Sequence, residues 1–110
     1  MMIEIPLEQI PNQIFEIILN QQDCTIHLYV RGDYLYLDLE IAQEPFFYGA
    51  ICLDRTPVLP VQKETFNGNF LFIDILGSLP PEYTKLNDRY KLYYLTNDEV
   101  AEFNNIILSD

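Results

Sequence analysis

The chain has one histidine, His27, and it stands in "CTIHLYVRGDYLYLDLEI", residues 24–41, where a fold-back at the middle would set it opposite Asp38. Glu40 is two residues further on, on the same side of an extended strand. An imidazole beside two carboxylates has the groups that acid–base catalysis uses. Two carboxylates at i and i+2 also offer donors to a hard cation, although no loop in the chain spaces carboxylates as a calcium site does. No activated nucleophile accompanies the group. Ser78 falls in an expected loop and Ser109 in the tail, and neither belongs to an elbow motif. Cys24 and Cys52 are too few for a disulfide framework and too sparse for a structural zinc site, so they read as two reduced, buried thiols, with a single strand-joining bridge as the alternative. The His27–Asp38 pair therefore reads as a cross-strand stabilising contact, and the expectation is no catalysis, no cofactor and no metal.

The same stretch contains Arg31-Gly32-Asp33, a tripeptide found in adhesive loops. Turn chemistry accounts for it. With Gly32-Asp33 as the centre of a type II′ turn, Gly takes the position that needs positive φ. Val30 then meets Leu35, Leu28 meets Leu37, Ile26 meets Leu39 and Cys24 meets Ile41 on one face. Arg31 meets Tyr34, Tyr29 meets Tyr36, His27 meets Asp38 and Thr25 meets Glu40 on the other. Every pair agrees in polarity, and a slip of one residue would turn the apolar set to the wrong side.

The elements that position these residues follow from the same period of two. Further strands are expected at residues 3–7, 13–19, 46–53, 69–76 and 89–95, with a turn containing Pro45 before the third of them and an irregular stretch around Pro57 and Pro60. Thr96 with Glu99 makes a capping box ahead of "NDEVAEFNNIIL", which predicts a short C-terminal helix over about residues 97–108. The fold class is all-β: a small β-sandwich or partly closed β-barrel of six or seven short strands, in a single domain over residues 1–110. A chain of this length buries roughly two-thirds of its unfolded surface and folds without staples.

Seventeen acidic residues against six basic ones give a net charge of −11, which opposes nucleic-acid phosphates and anionic membranes. No apolar run approaches the roughly 20 residues that span a bilayer. The start "MMIEIPLEQIP" lacks a basic region, so no signal peptide is expected there and the chain reads as soluble and intracellular when made. What remains distinctive is aromatic. Tyr29, Tyr34 and Tyr36 fall on the polar face of the central hairpin, and Tyr93 or Tyr94 points outward from its strand. Exposed aromatics bury large area at little entropic cost, so these are candidate interface residues. Asp74 joins them: it shares a face with Phe70 and Phe72, which puts it at a rim or an interface, or else outward at a strand end.

Laid out this way, "IPLEQIPNQIFEIIL", "CTIHLYVRGDYLYLDLEI", "GAICLDRTPVLP", "GNFLFIDI" and "YKLYYL" resemble, in one continuous order over residues 3–95, the baseplate plug proteins of contractile-tailed phages, described from a cyanophage. The resemblance implies a small, mostly β structural protein of the virion tail baseplate, made in the host cytoplasm. It would sit at the baseplate centre against hub, spike, tube or sheath-initiator proteins, a role compatible with several copies per baseplate. It implies no cofactor and no turnover, and it carries over no binding residue. Two other readings stand beside it: an acidic inhibitor or nucleic-acid mimic, from charge alone, and an enzyme or small-ligand barrel using His27, Asp38 and the tyrosines.

Overall fold

The computed structural model describes residues 2–60 and 63–108, with side chains described as far as residue 103. Four alternating segments make the larger sheet: β2 (Asn12–Leu19), β3 (Gln22–Arg31), β4 (Tyr34–Ile41) and β5 (Glu44–Ile51). They run as a meander in the order β2-β3-β4-β5, every pair antiparallel. The register of β3 on β4 matches all eight pairs expected from the alternation. Gly32 has φ +66° at the tip while Asp33 stays out of the positive region, as the turn requires.

The other two tips lack glycine. Asn20-Gln21 (φ 51° and 65°) and Ala42-Gln43 (φ 51° and 67°) both take left-handed backbone at two consecutive residues. Asn20 suits this geometry, whereas at Gln21, Ala42 and Gln43 the flanking strands impose it over local preference. The expected turn at Pro45 is displaced to Ala42-Gln43, and Pro45 lies inside β5, opposite Glu40. Because β5 is an edge strand, a residue without an N–H can sit there without losing a ladder bond. β5 also bulges against β4 near Gly49, whose φ is +77°.

The smaller sheet has the order β1-β7-β6, from β1 (Ile3–Ile5), β6 (Asn69–Asp74) and β7 (Tyr90–Leu95), all antiparallel. The two sheets face one another as an open sandwich, not closed into a barrel. Ile26, Leu28, Leu37 and Leu39 from the larger sheet share one core with Phe70, Phe72, Leu92 and Tyr94 from the smaller. Phe66 packs between them, against Phe46, Phe70 and Tyr94. The proline-rich stretch is ordered along β6: Arg55 and Val58 donate backbone N–H groups to Phe72 and Phe70. The buried Asn69 amide holds Leu59 through both its N–H and its C=O.

The helix α1 (Asn97–Leu108) opens with the expected capping box, Thr96 N–H donating to Glu99 Oε1 at 2.9 Å and Glu99 N–H to Thr96 Oγ1 at 3.4 Å. It covers the outer face of the smaller sheet, where Val100 and Phe103 meet Leu71, Ile73, Tyr93 and Leu95. Burial on both faces explains why β6 reads as an almost unbroken apolar run.

Candidate functional site

The outer face of the larger sheet gathers the residues singled out by the alternation. His27 Nδ1 lies 3.6 Å from Asp38 Oδ2, and its Nε2 lies 2.8 Å from the side-chain oxygen of Asn12 on β2. Asp38 is already engaged: its Oδ1 accepts the Tyr29 hydroxyl at 2.9 Å and the Gly49 N–H of the bulge at 2.7 Å. The bulge turns Tyr48 outward, where its hydroxyl donates to the Glu40 carboxylate. Asp38 and Glu40 thus tie three strands together. Burial, helped by the bond to Asp38, pushes the Tyr29 phenol up from its ordinary range, and the bond to Glu40 does the same for Tyr48.

Among the described residues no group of three or more His, Cys, Asp or Glu side chains is placed to hold a metal ion. Ser78 lies in the connection after β6 rather than on this sheet face, and Ser109 is outside the described residues. Cys24 and Cys52 are free, buried thiols, and burial raises Cys24 to about 11 and Cys52 further still. Among the described residues no helix is long and apolar enough to cross a membrane.

Of the candidate interface residues, Tyr29 and Tyr36 stack at 6.1 Å between ring centroids, with the His27 ring 4.6 Å from Tyr29. They form a row across the sheet, Asn12–Tyr29–Tyr36–Ile51. Both rings are partly exposed, and Tyr34, beside the hairpin tip, is more so. Tyr94 is in the core, while Tyr93 is half-covered by α1. Asp74 is neither outward nor at an open rim: its side chain is fully buried. Arg89 binds it twice, Nε and Nη2 each donating at 2.8 Å, and its oxygens also accept the N–H groups of Leu76 and Leu79, both at 2.9 Å.

That arrangement corrects the expected strand over residues 69–76. β6 stops at Asp74 because the Asp74 carboxylate draws the following N–H groups into a turn. Ile75, Leu76 and Leu79 are left on the surface, Leu76 with 74% of its area exposed. Their signal in the sequence was the apolar character of "ILGSL" inside a Gly-, Ser- and Pro-rich connection, where polar residues are the rule.

Two comparisons bear on the chain as a whole. Residues 2–98 match the family described as cyanophage baseplate Pam3 plug gp18. No curated protein matches the chain.

Proposed function

The chain belongs to the cyanophage baseplate plug family, and from that premise we propose that it is a structural, non-catalytic component of a contractile-tail baseplate, a plug-like protein of one domain at its centre that contacts hub, spike or tube proteins. The family match over residues 2–98 carries this reading. The chemistry of the sheet face supports it, because the Asp38 carboxylate beside His27 binds Tyr29 and Gly49 of the two flanking strands and so has a structural role. The location that follows is the virion tail, reached after synthesis in the host cytoplasm.

Within that role Tyr29, Tyr34 and Tyr36 are the contact residues on the larger sheet. Partly exposed, ordered aromatic rings at low entropic cost are what protein interfaces select. Affinity capture from infected cells with a tagged copy of the chain, followed by mass spectrometry, tests both statements. Hub, spike, tube or sheath-initiator proteins are expected in the captured set. Tyr36→Ser and Tyr34→Ser are each expected to weaken the capture by about 1 kcal/mol or more. Absence of the chain from purified tails, together with capture of no tail protein, would sink the baseplate role. Undiminished capture by the tyrosine variants would remove only the contact assignment.

A further inference from the structure

The two sheets have four outer edges, and three of them are closed by the chain itself. β1 is three residues long and is followed by Pro6. β6 is covered by residues 54–58, with Asp54 bridged to Phe72 and the N–H groups of Arg55 and Val58 bound to its carbonyls. β5 carries Pro45 and the bulge near Gly49, and Lys63 Nζ holds the Phe46 carbonyl at 3.1 Å. Proline, bulges, lysine and covering segments are the devices that keep a sheet edge from pairing with other chains.

β2 has none of these. Its eight residues include no proline, lysine or arginine, and its register on β3 is unbroken from Asn12 to Leu19. Val30 N–H donates to the Pro11 carbonyl at 2.9 Å, and this sets the phase of the ladder: Gln13, Phe15, Ile17 and Leu19 turn their N–H and C=O groups to β3. Asn12, Ile14, Glu16 and Ile18 turn theirs the other way, and among the described residues no strand pairs with that side.

A groove of about 360 Å³ opens at the same edge, lined by Ile5 and Pro6 and by residues 13–17. It is preformed. Gln13 is buried, and its amide binds Glu8 through both the N–H and the C=O, at 2.7 and 3.0 Å. Phe15 and Ile17 pack against the core yet are only partly buried, while Ile14 and Ile18, 66% and 69% exposed, flank Glu16 on the outer face.

The unpaired backbone specifies the occupant, because a row of N–H and C=O groups at strand spacing is satisfied by another strand. Apolar side chains of that strand suit Phe15 and Ile17, and a basic one suits Glu16. A second copy of this chain fits poorly: it brings −11 against −11, and antiparallel pairing about Glu16 sets two carboxylates face to face.

We propose that β2 is the docking edge for an extended segment of another tail protein, which adds a fifth strand to the larger sheet and sets a Lys or Arg opposite Glu16. The proposal rests on the baseplate reading.

The test uses tails purified from infected cells that also express tagged full-length chain as wild type, Ile14→Pro, Ile14→Thr, Glu16→Lys or Glu16→Gln. Proline at position 14 removes an N–H that points away from β3, so the fold keeps its ladder while the added strand loses a bond. Ile14→Pro is expected in tails at about tenfold lower occupancy or less, and Ile14→Thr, which keeps the N–H, within about threefold of wild type. Glu16→Lys is expected to lose several-fold more occupancy than Glu16→Gln. Thermal melting of each purified chain checks the fold. If Ile14→Pro misfolds, hydrogen exchange of wild type decides: the Ile14, Glu16 and Ile18 amides should exchange quickly in the free chain and be protected in tails.

Wild-type occupancy of a folded Ile14→Pro chain, or amides as unprotected in tails as in the free chain, would overturn the strand pairing while leaving the baseplate role standing. Equal losses for Ile14→Pro and Ile14→Thr would do likewise, since the side chain alone would then account for the contact. Equal occupancy of Glu16→Lys and wild type would overturn the basic residue. Dimerisation of the purified chain that Ile14→Pro abolishes would replace the proposed partner by a second copy. Absence of wild type from tails would overturn the baseplate role and this partner with it.

Discussion

Asp74 shows what a single side chain can hold and how its protonation should be felt. Bound twice by Arg89 and by two backbone N–H groups, its carboxyl is held well below the usual carboxylate range, the guanidinium and N–H groups outweighing the opposing effect of burial. The unfolded chain therefore takes up this proton first as the pH falls. The stabilisation is complete above the ordinary aspartate value of 3.8 and is lost as pH drops toward the folded one. Denaturant unfolding of the wild type between about pH 2 and 6 should thus show stability rising with pH in the acid limb, and Asp74→Asn should flatten that limb as well as lower its height. Parallel limbs would mean that other carboxylates govern acid unfolding. The alternation along "NFLFID" placed Asp74 on the face of Phe70 and Phe72 correctly. Its partner was not legible, because Arg89 is 15 residues away and no local pattern links the two.

At the scale of elements, what could be read was what repeats. The β3–β4 hairpin was legible to the residue, because eight pairs of matching polarity and one Gly at the tip agree on a single register. The β4–β5 connection was not: Ala42-Gln43 carries none of the residues that favour left-handed backbone, and it adopts that geometry because the strands around it are fixed by their buried faces. Left-handed backbone at a residue bearing a Cβ costs roughly 1–2 kcal/mol. Ala42→Asn with Gln43→Gly supplies the pair that a two-residue tip prefers, and after the extra flexibility of glycine in the unfolded chain a net gain of about 1 kcal/mol is expected. Thermal melting should register this as a rise of roughly 4 °C. An unchanged or lower midpoint would show that the tip is not under backbone strain.

For the whole molecule, the arrangement is three layers, with α1 on the smaller sheet and that sheet on the larger one. The capping box made the helix legible, but its placement was not, since an unbroken apolar run such as β6 is compatible with several ways of being covered on both faces. Among the described residues the main core contains none from α1, so the sandwich should survive removal of residues 97–110. The same deletion uncovers Leu71, Leu95 and their neighbours, and it removes Asp98, Glu99, Glu102 and Asp110, four of the 17 acidic residues whose mutual repulsion keeps copies apart. New apolar surface and weaker repulsion act in the same direction. The truncated chain is expected to keep its β-sheet circular dichroism yet to associate with rising concentration in light scattering, more strongly as salt screens the remaining charge. Leu71→Gln in the truncated chain should reverse part of the association. Loss of all sheet structure on truncation would show instead that α1 belongs to the same cooperative unit as the sandwich. A truncated chain as dispersed as the full one would show that the helix shields too little apolar area to matter.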